Sequence, residues 1–197
     1  MRYNEFAKEV HKNAVAHGWW ETERTFGEII ALCQSEVSEA LEEYRAGKPL
    51  IYNCCGYCQH DAVCDKENKD KVECKPEGIA VELADVIIRC LDWFGHCNMN
   101  ADDLLEEAKG GERWLDDMPI YAVSGFGDFI AHLNLDLSLA YRNWCNATGY
   151  WASALRMAVC CNEIFDWAKR EGVDMDDLML IKHEYNQTRE YKHGKVM

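Results

Sequence analysis

The sequence has few of the features that mark secreted, membrane-spanning or β-rich proteins. It holds three prolines in 197 residues and no convincing alternating Val/Ile/Thr-rich stretch, so long helices are favoured over strands. No run of about 18 apolar residues predicts a membrane span. The opening residues MRYNEFAKEVHKN are polar and amphipathic, unlike a secretory signal. We therefore expect an all-α, cytoplasmic protein without a membrane partner.

Basic residues are also scarce, because 21 Lys and Arg stand against 35 Asp and Glu, giving a formal net charge of −14. Such a chain repels nucleic-acid backbones, so no nucleic-acid polymer is expected as a partner. An enzyme of this charge acting on an anionic substrate would need a metal ion or a local basic patch. The eleven cysteines are odd in number, and several fall inside apolar helical patterns, which favours reduced thiols over a disulfide framework.

The stretch Phe26–Arg45 (FGEIIALCQSEVSEALEEYR) predicts an amphipathic helix with acids along one side. Thr25, followed by Glu28, predicts a capping box at its start. On a helix of about 3.6 residues per turn, residues three and four apart share a face. The acids with this spacing are Glu36, Glu39 and Glu43.

A second stretch, residues 79–94 (IAVELADVIIRCLDWF), places Glu82 and Asp85 on a helix that is apolar nearly all round. Such a helix is expected to be buried, and a buried carboxylate needs a cation or another partner. Arg89, one turn further on, is the simplest partner. Two carboxylate pairs on two helices could instead hold a hard cation between them. A solvated acidic face is the plain alternative for both pairs.

Residues 50–76 are expected to form an irregular, cysteine-rich insertion between the two acidic helices, with the second helix following directly from Pro76. A Cys-x-x-Cys pair could supply half of a tetrahedral zinc site, and two later cysteines could complete it. The later spacing matches no common zinc ribbon or finger, so free thiols in a loop stay the alternative. The four candidate zinc ligands are Cys55, Cys58, Cys64 and Cys74.

The second half of the sequence repeats the first in degenerate form. Residues 126–131 align with 26–31 at an offset of 100, and 166–167 align with 92–93 at an offset of 74. We therefore expect one compact helical bundle of two tandem repeats, 1–119 and 120–197, with pseudo-two-fold symmetry. The acids are mostly lost from the second copy: Glu36 aligns with Asp136, Glu39 with Leu139, Glu82 with Arg156 and Asp85 with Val159.

The most basic stretch lies at the end of the sequence, in KHEYNQTREYKHGK. Lys182, Asn186 and Arg189 are four and three residues apart, so one helical face could present them together. A solvated tail is the plain alternative. Near the other end, Trp19 and Trp20 are expected either to pack on the core or to offer an aromatic wall to a planar group.

The two acid pairs, Glu36-x-x-Glu39 and Glu82-x-x-Asp85, resemble the signature of the MazG-like, all-α nucleoside triphosphate pyrophosphohydrolases. The surrounding sequence segments that carry the resemblance are GWWETERTFGEIIAL, SEVSEALEEYRAGK, KPEGIAVELADVIIRCLDW and KHEYNQTREYKHGK. They cover the first half and the C-terminal tail. The chain departs from the family pattern in the cysteine-rich insertion and in the degenerate second repeat, which leaves the substrate open.

The resemblance implies a Mg²⁺-dependent enzyme that converts a nucleoside triphosphate and water to a monophosphate and pyrophosphate. Four carboxylates without histidine suit Mg²⁺, or Mn²⁺, better than zinc. Glu43 or one of the four, such as Glu39, would act as base. The residues implied as metal ligands are Glu36, Glu39, Glu82 and Asp85, and those implied in substrate binding are Trp20 (or Trp19), Lys182, Asn186, Arg189 and Lys195.

Two other functions stay open at this point. A non-catalytic helical interaction module would keep the fold and leave the acids solvated, and a zinc-binding regulator would use the cysteine-rich insertion. The sequence does not fix the base, the sugar or the oligomeric state. The internal repeat could complete a bundle within one chain, whereas single-copy relatives must pair to do so. Between these alternatives, a homodimer is the assembly we favour.

Overall fold

The computed structural model describes residues 1–54, 75–110, 125–146 and 149–194. Within these ranges the chain is mostly helical, so the all-α fold class is confirmed. None of the described helices is both long and apolar enough to cross a bilayer. The helices are α1 (Tyr3–Ala16), α2 (Phe26–Arg45), α3 (Ile79–His96), α4 (Ala101–Gly110), α5 (Phe126–Cys145), α6 (Tyr150–Glu171) and α7 (Met175–Thr188), followed by a 3-10 helix (Tyr191–Gly194).

The capping box predicted at the start of α2 is present. The Thr25 hydroxyl accepts a hydrogen bond from the Glu28 backbone N–H at 3.2 Å, and the Glu28 carboxylate accepts one from the Thr25 backbone N–H at 2.7 Å. Two otherwise unpaired backbone donors are thereby satisfied. This cap fixes where α2 begins and hence the turn on which each acid of α2 lies.

The two ends of the cysteine-rich insertion differ from the sequence expectation. Tyr52–Cys54 and Lys75–Glu77 form an antiparallel two-stranded ladder, β1 and β2, in which Asn53 lies opposite Pro76. The expectation of an irregular insertion running directly into a helix from Pro76 is therefore wrong at these ends. Three-residue strands are too short to show the alternation by which a strand is recognised in a sequence.

Helix α3 is the central element of the bundle. Thirteen of its eighteen residues are buried, as its nearly continuous apolar sequence predicts. Helices α1, α2 and α7 all pack against it, and α6 contacts it from the second half of the chain. Helix α5 packs along α6 and also against α2, while α4 packs against α6. The acids of α3 therefore lie at the centre of the protein.

The buried positions of the two halves coincide in register. Every buried residue of α5 lies 100 positions after a buried residue of α2. Every buried residue of α6 lies 74 positions after a buried residue of α3. The last helices are exchanged between the halves, because α4 packs on α6 whereas α7 packs on α3.

The C-terminal segment folds back onto the end of α1. The backbone N–H of Lys192 donates to the carbonyl of His17 at 3.0 Å, and Tyr191 lies against Gly18. A Cβ atom at position 18 would lie 2.3 Å from the Tyr191 ring, and Gly18 has a φ of +79°. Only glycine suits both conditions. This contact holds Arg189 close to the acidic helices.

Candidate metal and anion site

Three carboxylates meet at the interface between α2 and α3. Glu36 comes from α2, and Glu82 and Asp85 come from one face of α3, three residues apart. One ligand oxygen from each lies within 4.8 Å of the others. Glu36 and Glu82 are each only 5% exposed. A solvated acidic face is thus excluded for these two side chains.

Two cationic side chains contact this cluster, and neither of their ion pairs was predicted from the sequence. Arg89 donates from Nε to Glu36 Oε1 at 2.7 Å, with a second contact from Nη2, so it partners an acid of α2 rather than the acids of its own helix. Lys182 of α7 is almost fully buried, and its Nζ lies 2.9 Å from Asp85 Oδ2. The two cations leave the cluster one negative charge in excess.

Glu82 is the acid that has no ion pair among the described residues, so it would carry that excess when all three acids are ionised. Among the residues that the structure describes, none donates a hydrogen bond to its carboxylate. Burial raises the pKa of Glu82 to about 8; Lys182 opposes this shift, and Asp85 and Glu36 add to it. Burial likewise raises the pKa of Glu36, although Arg89 opposes the shift. The cluster therefore favours protons, or another cation, at neutral pH.

A cavity of about 190 Å³ opens beside the three acids. Its wall includes Glu39, which is exposed on α2, and basic groups from three separate parts of the chain. Asn186 also lines it, and its Oδ1 atom is buried without a hydrogen-bond partner among the described residues. The basic residues of the wall are Arg24, Lys75, Arg89, Lys182 and Arg189. An acidic floor with a basic rim suits a cation together with an anionic group.

Lys182, Asn186 and Arg189 all line this cavity, but only the first two lie on one helical face, because α7 ends at Thr188 and Arg189 is extended. Lys182 faces Asp85, however, and is no longer free to contact a ligand on its own. Lys75 and Arg24 were missed by sequence reasoning. Lys75 becomes part of the wall through the β1–β2 ladder, and no sequence pattern signals that ladder.

Glu43 takes no part in lining the cavity. It lies beside Tyr52 of β1, where the negative charges of Glu43 and Glu77 add to burial in raising the pKa of the Tyr52 hydroxyl. Of the two acids expected to act as base, only Glu39 therefore stands on the cavity wall.

The two tryptophans have different environments. Trp20 stacks on His96 with 3.9 Å between ring centroids and donates from Nε1 to Asp92 at 3.0 Å, so it is held within the fold. Trp19 lines the cavity, and the Arg24 guanidinium lies 5.0 Å from its ring centroid. Of the pair, Trp19 is the better placed to meet a planar group.

Two of the predicted features lie outside the described residues. They are the zinc ligand set Cys55, Cys58, Cys64 and Cys74, and the substrate-binding residue Lys195. Both stay predictions.

A second cluster, which sequence reasoning did not foresee, lies between α5 and α6. It consists of His132, Asp136 and Glu163, whose ligand atoms also lie within 4.8 Å of one another. Arg156 Nη1 donates to Asp136 Oδ1 at 3.2 Å. Burial raises the pKa of Glu163 to about 7, with Asp136 adding to the shift. The sequence does show that charges are exchanged between α3 and α6. At an offset of 74, Arg156 aligns with Glu82 and Glu163 aligns with Arg89.

Comparison with protein-family models, with curated proteins and with solved structures gives no match for this chain.

Proposed function

We propose that this chain is a Mg²⁺-dependent nucleoside triphosphate pyrophosphohydrolase that releases a nucleoside monophosphate and pyrophosphate. The observation that carries the proposal is Glu82, a buried carboxylate without a hydrogen-bond donor among the described residues, within reach of Glu36 and Asp85. Leaving such a group uncompensated costs several kcal/mol. A bound divalent cation removes that cost, and Mg²⁺ prefers oxygen ligands of this kind.

The donor set fits such an ion. Glu36, Glu82 and Asp85 offer oxygen atoms only, and Glu39 stands at the mouth of the same cavity. Mg²⁺ commonly takes one or two carboxylates and completes its shell with water and substrate phosphates. When bound, the ion supplies positive charge to phosphate oxygens and lowers the pKa of a water molecule.

The side chains of the wall account for the remaining steps. Arg189 would neutralise phosphate oxygens on the rim, and it can do so with two parallel hydrogen bonds. Lys75 would add positive charge there, although its Nζ already contacts Glu77 Oε1 at 2.7 Å. Asn186 would donate from Nδ2 to a phosphate oxygen or accept at Oδ1 from a sugar hydroxyl, and the hydroxyl would supply the partner that Oδ1 lacks among the described residues. Glu39 would accept the proton of the attacking water. Trp19 would stack on the base.

We further propose that the fold is a MazG-like bundle of two degenerate repeats related by a pseudo-two-fold axis. The coincidence of buried positions at the two offsets supports this proposal. The reciprocal packing of α4 on α6 and α7 on α3 supports it as well. A homodimer stays our preferred assembly, to be tested by light scattering.

The test is a panel of ribo- and deoxyribonucleoside triphosphates with Mg²⁺, scored for pyrophosphate release. Running the reaction in ¹⁸O-labelled water and locating the label by ³¹P NMR identifies the attacked phosphorus. We expect water to attack the α-phosphorus, which places the label in the monophosphate. Label in the pyrophosphate would contradict this position of attack. Glu82→Gln should lower turnover on the order of 10²–10³-fold, whereas the exposed Glu42→Gln, whose ion-pair partner is Arg45, should not.

The rival functions give different outcomes in the same experiment. A non-catalytic interaction module predicts no pyrophosphate from any nucleotide and no saturable Mg²⁺ binding. A zinc-binding regulator predicts zinc in the purified protein that is lost when Cys55 and Cys58 are replaced. Either result, without turnover in the panel, would end the hydrolase proposal.

A further inference from the structure

The second cluster differs chemically from the first, because it includes an imidazole. His132 and Asp136 lie four residues apart on α5 and therefore share a face, while Glu163 faces them from α6. His132 Nδ1 lies 3.7 Å from Glu163 Oε1. Two ligands about 2.1 Å from one ion lie at most about 4.2 Å apart. Since the three donors lie within 4.8 Å of one another, a side-chain adjustment of under about 1 Å would bring them around one ion.

An independent observation indicates that this cluster lacks a partner. Asp136 is 3% exposed, and its Oδ2 atom is buried without a hydrogen bond among the described residues. Glu163 Oε2 is buried and unpartnered in the same way. Buried polar atoms are nearly always satisfied in folded proteins, so two such oxygens in one cluster call for a ligand.

Arg156 does not supply that ligand. Its guanidinium contacts Asp136 Oδ1 and leaves Oδ2 free. With Asp136 and Glu163 ionised, the one arginine leaves a net charge of −1 when His132 is neutral. A neutral imidazole is also the form that binds metals.

We propose that His132, Asp136 and Glu163 form a second metal site, which takes a divalent first-row transition ion such as Mn²⁺ or Zn²⁺. One imidazole and two carboxylates are intermediate between the oxygen sets that select Mg²⁺ and the nitrogen and sulfur sets that select Zn²⁺. The ion would tie α5 to α6, because the three ligands come from both helices. This proposal does not rest on the proposed hydrolase function, because it concerns other residues and another ion.

Mn²⁺ is the best probe, because it binds carboxylate and imidazole and discriminates against the cysteine thiolates elsewhere in the chain. The full-length protein is titrated with Mn²⁺, and the free ion is counted by its electron paramagnetic resonance signal. Pulsed measurements on the bound ion then detect the coupling to a coordinated histidine nitrogen. We expect such a coupling in the wild type.

His132→Leu places at this position the residue type that stands 100 positions earlier, at Leu32. It should remove the nitrogen coupling and lower the number of bound Mn²⁺ ions by one. Glu82→Gln, which alters the first cluster, should leave the coupling unchanged. His132 is 43% exposed as a side chain, so its replacement should not prevent folding, and His132→Gln gives the same readout in a polar variant.

Three results would overturn the proposal. One is a wild-type protein whose bound Mn²⁺ shows oxygen ligands only. Another is a nitrogen coupling that persists in both His132 variants, because a different histidine would then be the ligand. The third is a number of bound ions that is the same in the wild type and in both single variants, Glu163→Gln and His132→Leu.

Discussion

The α2–α3 pair and the α5–α6 pair each bury an acid beside an arginine, but the second helices carry their acid and arginine in opposite order along the sequence. Glu82 precedes Arg89 on α3, whereas Arg156 precedes Glu163 on α6. Each buries one carboxylate on its first helix, Glu36 or Asp136, and pairs it with an arginine from its second helix. The arginines come from different turns, since Arg89 aligns with Glu163 and Arg156 with Glu82. In both pairs an arginine of the second helix contacts the buried acid of the first helix, although the two arginines stand on different turns.

The other acids of the first cluster have no counterparts in the second half. At the aligned positions, the second half has Arg156 for Glu82, Val159 for Asp85 and Leu139 for Glu39. Lys182, which pairs with Asp85, aligns with Ala108. The α5–α6 pair is packed and buried without these groups. The second half is thus an internal comparison, in which the same arrangement of helices packs without the extra acids of the first half.

The largest effect is expected when the acid and the arginine of α3 are exchanged, so that their order matches that of Arg156 and Glu163 on α6. The double change Glu82→Arg with Arg89→Glu should abolish Mg²⁺-dependent turnover, with a loss on the order of 10³-fold, because one of the three clustered carboxylates becomes a cation. Circular dichroism should stay helical, since the arginine introduced on α3 could pair with Glu36 as Arg156 pairs with Asp136. Retained turnover would show that the acid order of α3 does not carry the activity.

The next largest effect is expected on stability. Removing one partner of a buried ion pair typically costs about 3–5 kcal/mol, so Arg89→Met and Arg156→Met should each lower the free energy of unfolding by that order when a chelator is present. Excess Mg²⁺ should restore stability in Arg89→Met only, because the first cluster holds three carboxylates for the ion. Urea unfolding with and without Mg²⁺ measures both effects. Equal rescue of the two variants would contradict the difference between the clusters.

Periodicity predicts the elements of the fold and some contacts of the site. The all-α class, the cap at Thr25 and the burial of α3 all follow from local sequence patterns. The shared face of Lys182 and Asn186 was also predictable from their spacing of four residues, whereas Arg189 lies beyond the end of α7 in an extended conformation. Each of these features depends on residues close together in the sequence.

The pairing of charges across helices was not predictable in the same way. Arg89 is one turn from Asp85 but bonds Glu36, 53 residues away, and Lys182 bonds Asp85 from α7. Such choices depend on which helices pack together and at what rotation, and a single sequence does not specify either. The alignment of Arg156 and Glu163 with Glu82 and Arg89 shows two exchanged charges, but it does not predict the contacts, since each arginine bonds an acid of the neighbouring helix.

A smaller effect is expected from neutralising the unpaired acid of each cluster. The pKa of Glu82 is raised to about 8 in the folded protein, so ionisation destabilises the fold as pH rises above the ordinary value. In chelator at pH 7 to 8, Glu82→Gln should therefore raise the free energy of unfolding on the order of 2–4 kcal/mol. Glu163→Gln should raise it less, because the pKa of Glu163 is raised only to about 7.

The informative measurement is how the difference in free energy of unfolding between each variant and the wild type depends on pH. Below about pH 4.5, both carboxylates are protonated in the folded and unfolded states, so the variants and the wild type should unfold alike. The difference should grow as pH rises and should level off above pH 8 for Glu82 and above pH 7 for Glu163. A constant difference at all pH values would show that the gain comes from packing rather than from charge.

The smallest effect concerns the apparent affinity of the first cluster for Mg²⁺. The ion needs Glu82 ionised, so it competes with the proton that the raised pKa of about 8 keeps on this carboxylate. Affinity should rise roughly fivefold between pH 7 and pH 8 and change little above pH 9. In Glu82→Gln the residual affinity should not show this rise, because no proton is released at position 82. Calorimetry in two buffers of different ionisation enthalpy counts the released protons directly. If the wild type released none at pH 7, Glu82 would not be a ligand, and the surplus acid of the first half would need another explanation.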